Sequence, residues 1–146
     1  MLNYESNTSI YNETVKEIIH VDESEFEKMY QMFTQETDYF KNNQHIFTLA
    51  VLIGKFIVKK RKKINKRHDF IRHSYIKDSD EEVILTALAI QEVNDVDVII
   101  DKNEIYTICE EYARSGIQKL YEWYVDSSID FDIELTNLIN EFFEEE

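Results

Sequence analysis

The segment DKNEIYTICEEYARSGIQKLYEWY, residues 101–124, decides the architecture. Read at steps of three and four, Ile105, Ile108, Cys109, Tyr112, Ala113, Gly116, Ile117, Leu120 and Tyr124 form an unbroken apolar stripe, the signature of one face of an α-helix. Asp101 precedes Glu104 by three residues, an arrangement that satisfies the free amides at a helix start. The pattern predicts a long helix over 102–124. Cys109 lies within the stripe and reads as a small buried hydrophobe, not a nucleophile. Gly116 lies there too, where glycine costs on the order of 1 kcal/mol relative to alanine. The expected return is close approach by a second helix; a hinge or docking notch is the alternative.

Outward from that helix, Val96 to Ile100 reads as a short strand. Ser79 and Glu82 form a capping box that opens a helix to about Val93, with Val83, Ile84, Ala87, Leu88 and Ile90 expected inward. Residues 44–60 are apolar nearly all round, as in a central buried helix, and hold the other glycine, Gly54. A second capping box, Ser24 with Glu27, predicts a helix to about Glu36 that buries Phe26, Met29, Tyr30 and Phe33. A last helix spans Asp132 to about Phe143, with Ile133, Leu138 and Phe142 on one side. Val15 to Val21 reads as a short strand or extended arm, and 96–100 is its candidate partner. The expected fold class is therefore mainly α: a polar arm over 1–23, then a single-domain bundle of about five helices over 24–146, with one short two-stranded element.

Composition agrees. The 146 residues include no proline and two glycines, too little punctuation for a β-sandwich or a glycine-rich nucleotide-binding fold. Nine Phe and nine Tyr supply the burial that a charged chain needs to fold. A lone cysteine excludes an internal disulfide and any cysteine zinc cluster. Met1 to Asn12 carries no lysine or arginine, unlike a signal peptide, and the apolar run Ile46 to Val58 is too short to cross a bilayer. The expectation is a cytoplasmic protein, with the sequons at Asn7 and Asn12 idle.

Known chemistry is hard to place on the chain. The two glycines, 54 and 116, are too far apart to make a phosphate-cradling loop. No lysine has an acid two positions before it, as metal-dependent nucleases often do. His20, His45, His68 and His73 lack metal-ligand spacing, and nothing marks a nucleophile elbow. The expectation is a non-enzyme with no catalytic residues, no metal and no cofactor.

Charge is the informative feature. The net charge of −14 hides nine basic residues against one acid between Lys55 and Arg72. Lys59, Lys60, Arg61, Lys62, Lys63, Lys66, Arg67 and Arg72 are the candidate binding residues. Some cations are expected at the end of a helix and in a solvated connector, but eight exceed that need. The candidate ligands are an acidic protein surface, including this chain's own acidic tail in a second copy (a homo-oligomer), and nucleic acid bound in a salt-sensitive way. Only Phe70 and Tyr75 are nearby for base stacking. The tail from Asp126 to Glu146 holds eight acids and no base, which raises a third idea, a DNA-mimic inhibitor; an exposed cationic segment argues against it.

Two stretches resemble a known family. His45-Ile46-Phe47-Thr48-Leu49-Ala50-Val51-Leu52-Ile53-Gly54, followed by the basic connector, and Glu110-Glu111-Tyr112-Ala113-Arg114-Ser115-Gly116-Ile117 are similar to small helical proteins accessory to Dnd (DNA phosphorothioation) systems and related bacterial phage-defence operons. The resemblance runs from about Phe40 to Tyr124; where the family pattern has Asn-Gly, this chain has Ser115-Gly116. It implies a defence-system subunit without known catalytic residues. The combined expectation is a non-catalytic accessory subunit of an anti-phage complex that binds a larger ATPase or nuclease. A nucleic-acid-binding regulator that uses 59–72 is the alternative.

Overall fold

A computed structural model describes residues 18–37, 40–126, 130, 133, 135–137 and 140. The expected long helix is α4, Lys102–Asp126, and its stripe is the centre of the core: Ile105, Ile108, Cys109, Ala113, Ile117 and Leu120 are almost wholly buried. Asp101 starts it by accepting the Glu104 amide at 3.0 Å. Before it lie α1 (Glu23–Gln31), α2 (Asn43–Ile53) and α3 (Asp80–Val93), the first two extended by π-helical turns over Met32–Glu36 and Gly54–Val58. Ile133, residues 135–137 and Asn140 are helical as well. Leu138, Phe142 and the arm residues 1–17 lie outside the described set.

Side-chain caps fix most of the boundaries. Asn42 accepts from the His45 amide at 3.1 Å to begin α2. Ser79 accepts from the Glu82 amide at 3.3 Å, and Glu82 reaches back to the Asp78 amide at 3.2 Å, so the predicted Ser79 capping box forms with its return bond one residue out of register. The Ser24 box is not how α1 begins. The helix starts at Glu23, directly after a strand, with Asp22 in the cap position but its carboxylate turned elsewhere. Lys59 and Asn94 end α2 and α3 in the left-handed region, at φ 60° and 57°.

Among the described elements, helices α2 and α4 share the most extensive interface. They meet at the two glycines, as the close-approach reading expected. A β-carbon on Gly116 would lie 2.6 Å from the Ala50 carbonyl carbon and 2.9 Å from the Gly54 nitrogen; one on Gly54 would lie 2.7 Å from the Tyr112 carbonyl carbon. Backbone rests on backbone there. Phe33 closes one end of the core with edge contacts to Phe40 and Tyr124, and Tyr30 packs on Phe70.

Three further expectations need correction. Residues 96–100 are a 3-10 helical segment, not a strand: Asp95 accepts the Asp97 amide at 2.9 Å, and this local turn chemistry overrides the β preference of the valines and isoleucines. The two-stranded sheet exists, but β1 (Ile18–Asp22) pairs antiparallel with β2 (Arg67–Arg72), drawn from the basic connector. Ile19 and Val21 of β1 and Ile71 of β2 point into the core. The inward face of α3 also differs. Leu85, Leu88 and Ala89 are buried, Ile90 is partly so, and Val83, Ile84 and Ala87 face outward. Apolar residues occupy most of that helix's circumference, so periodicity alone does not locate the side that meets α4.

Candidate functional site

Residues 59–66, neither helix nor strand, form a strap that leaves the end of α2 and enters β2. A lysine-rich connector would ordinarily sample many conformations, because ordering each residue costs about 1–2 kcal/mol of backbone entropy. This one is fastened at four points. The Ser115 hydroxyl donates to the Lys60 carbonyl at 2.6 Å. The Lys62 amide donates to the Glu111 carbonyl at 3.2 Å. The Asn65 and Lys66 amides both donate to Asp22 Oδ1, at 3.0 and 2.9 Å.

Asp22 is the anchor. Its side chain is wholly buried, and its other oxygen accepts from Arg114 Nε at 2.9 Å. The Arg114 guanidinium stands 4.4 Å from the Phe26 ring centroid, so the cation is held by an aromatic face as well as by the carboxylate. A second buried carboxylate, Glu110, accepts from the His20 amide at 2.7 Å and pairs with Arg67 at 3.3 Å, tying β1 and β2 to α4. On the other flank Arg61 contacts Glu111 at 2.9 Å and Glu92 at 3.2 Å. Glu92 also meets Lys55 at 2.9 Å and the Tyr112 hydroxyl at 2.7 Å.

The segment Glu110 to Gly116 now has a physical meaning. Glu110 and Arg114 hold the β-strands and strap, Glu111 and Ser115 hold the strap's side chains and backbone, Tyr112 orients Glu92, Ala113 packs inside, and Gly116 admits α2. The segment is a clamp.

Of the eight candidate binding residues, the strap brings five together: Lys59, Lys60, Lys62, Lys63 and Lys66, all exposed and without an ion pair to any described carboxylate. Arg61 and Arg67 are turned to acids of the fold. Arg72 stands at the far end of β2, roughly 17 Å from its start at 3.3 Å per residue, and lies outside the patch. The buried anchors Asp22 and Glu110 and the half-buried Arg114 were not among the expected site residues. One signal was present: Glu110 follows Tyr106 by four residues and precedes Ala113 and Ile117 along a second, otherwise apolar line of α4.

Burial raises the proton affinity of the Asp22 carboxyl, but the Lys66 amide, Arg114 and the Asn65 amide together outweigh it and hold the group below its ordinary 3.8. Glu92 is likewise held below 4.5: burial opposes, and Lys55, Tyr112 and Arg61 prevail. Burial and the bond to Glu92 push Tyr112 up to about 12. The unfolded chain therefore binds protons more readily than the folded one at these carboxyls. Their contribution to stability is complete above 4.5 and is lost as pH falls through the lower folded values. Thermal melts from pH 6 to 3 should show a flat melting temperature down to that point and a steep fall below it.

Cys109 is fully buried, with its sulfur 3.8 Å from the Leu85 carbonyl. His73 meets the Tyr106 hydroxyl and stands 3.6 Å from Glu82. Among the described residues, no group of three His, Cys, Asp or Glu could hold a metal ion, and no helix is long and apolar enough to cross a membrane.

Residues 19–146 match the family described as DNA sulphur modification system-associated protein 4. No curated protein and no solved structure matches the chain. The matched region begins inside β1, so it includes both the strap and its clamp.

Proposed function

The chain belongs to the family of DNA sulphur modification system-associated protein 4, and from that premise we propose that it is a non-catalytic accessory subunit of a bacterial DNA modification and defence complex. It docks on a larger protein of that complex, an ATPase or nuclease, through the lysines of the strap. One observation carries this reading: the side chains of Glu111, Arg114 and Ser115 are directed to the strap and its anchor Asp22, leaving five lysines outward on an ordered backbone. Preorganisation of this kind strengthens binding by removing part of the ordering cost.

Expression with the neighbouring genes of the system, followed by purification through this chain, tests the reading. The larger subunit should co-purify, and reversing Lys60, Lys62, Lys63 and Lys66 to Glu should weaken the complex by about tenfold or more, chiefly by slowing association. A wild-type chain that always emerges alone would remove the reading.

The same lysines favour a second reading, contact with the phosphate backbone of nucleic acid. Five phosphate contacts would give a log–log salt slope of about −4.5 on duplex DNA. A slope near zero, or binding unchanged by the four reversals, would leave only the protein partner.

A further inference from the structure

Phe70, Arg72 and Tyr75 take no part in the strap. They stand at the far end of β2, where the strand passes directly into a 3-10 turn, His73–Tyr75. Ile19 pairs with Ile71 but His20 pairs with Asp69, so Phe70 is an extra residue in β2, a bulge. A bulge re-aims a side chain. The Phe70 ring packs on Tyr30, 4.5 Å away, and with Tyr75 it lines an open pocket of about 370 Å³, within the size range of small-ligand sites. Tyr75 is 67% exposed, unusual for so large a ring. Lys41, Asn43 and Gln44 at the start of α2 line the same pocket, and the Asn43 side-chain oxygen is buried with no described donor. A buried acceptor left in that state is costly unless a ligand or solvent supplies the hydrogen.

Arg72, Ser74 and Lys77 line a second depression, of about 420 Å³, built on the same turn. The chain has 30 acids against 16 bases, yet among the described residues no carboxylate lines either depression. Lys41, Arg72 and Lys77 form no ion pair with a described carboxylate. Aromatic rings, amide groups and unpaired cations in one place are the chemistry that receives an unstacked nucleobase: the base stacks, its edge bonds to amides and its phosphate meets the cations. Base edges carry the N–H groups that the Asn43 oxygen needs. An acidic peptide would use the cations alone, and a duplex keeps its base faces hidden. We propose that this corner binds an unpaired base of single-stranded nucleic acid, stacked on Tyr75, with the adjoining phosphate at Arg72 and Lys77. The site is separate from the strap, at the opposite end of β2, and does not depend on the docking of a larger subunit.

Titration of the full chain with short fluorescent single-stranded oligonucleotides at low salt, read by anisotropy, tests this. Tyr75→Ala should weaken binding about tenfold, the usual yield of one base stacked on an aromatic ring. Tyr75→Phe keeps the ring and should bind as the wild type does. An oligonucleotide of abasic sites should bind the wild-type chain no better than the normal strand binds Tyr75→Ala. Changing Arg72 and Lys77 together to Gln should lower the log–log salt slope by about 1.4, the share of two phosphate contacts on a single strand. The Tyr75 variants should keep the wild-type melting curve, because the ring is mostly exposed. Absence of binding to any oligonucleotide at low salt, or equal binding by wild type and Tyr75→Ala, would overturn the proposal. So would a loss of co-purified protein from Tyr75→Ala with oligonucleotide binding unchanged, which would make the corner a protein surface. A wild-type chain that recovers no larger subunit but binds oligonucleotides through Tyr75 would remove the docking reading and leave this one standing.

Discussion

Replacing Gly116 with alanine should destabilise the protein by about 3 kcal/mol, the upper end of the usual overpacking range. Helix propensity argues the other way, since alanine in the middle of α4 is favoured by about 1 kcal/mol. Geometry decides between them. The new β-carbon would sit 2.6 Å from the Ala50 carbonyl carbon and 2.9 Å from the Gly54 nitrogen, where unstrained carbon contacts need about 3.5–4.0 Å. The obstacle is backbone, which has no rotamer through which to yield, so α2 and α4 must separate along the core's main interface. Gly54→Ala meets the Tyr112 carbonyl and should act similarly. The double variant should cost less than the two singles added, because helices already spread by one β-carbon accommodate the second. Denaturant unfolding of the three variants measures all of this. A more stable Gly116→Ala protein would mean that the helices do not touch at the glycines.

The second large effect is expected at Asp22. Asp22→Ala leaves the Arg114 guanidinium, 17% exposed, without its carboxylate and frees the Asn65 and Lys66 amides together. Breaking a buried charge pair in this way costs about 3–5 kcal/mol, a fall in melting temperature on the order of 10 °C. Asp22→Asn keeps an acceptor for the two amides but turns an NH2 group toward Arg114 or loses one of the contacts, so it should fall between. Glu111→Ala is the comparison: its pair with Arg61 is only partly buried, and the change should cost about 1 kcal/mol or less. Equal losses for Asp22→Ala and Glu111→Ala would deny Asp22 its role as anchor.

The difference between those two residues also shows what could be read from the chain alone. The stripe of α4, the burial of Cys109 and the close approach at Gly54 and Gly116 were legible because each depends on spacing within one helix. The family resemblance and the cationic segment were legible as well. Asp22 was not, because a carboxylate looks the same in sequence whether buried or solvated, and its partner Arg114 lies 92 residues away. Strand β2 was hidden for a related reason. Arg67 to Arg72 places charged side chains on its exposed positions and only Ile71 fully in the core, so composition reads as a connector while pairing with β1 makes it a strand. The outward residues of α3 were visible as apolar but were assigned to the core, since periodicity cannot say how many faces of a helix are covered.

Central to the account is the strap as an ordered element that displays lysines, not a loose connector that happens to contain them. Hydrogen exchange at the Lys62, Asn65 and Lys66 amides measures this most directly, because each donates to a named acceptor on α4 or β1. In the wild-type protein the three amides should exchange slowly, in step with the core, and Asp22→Ala should release Asn65 and Lys66 first. Exchange of all three at the rate of an unstructured chain would contradict the clamp and everything built on it.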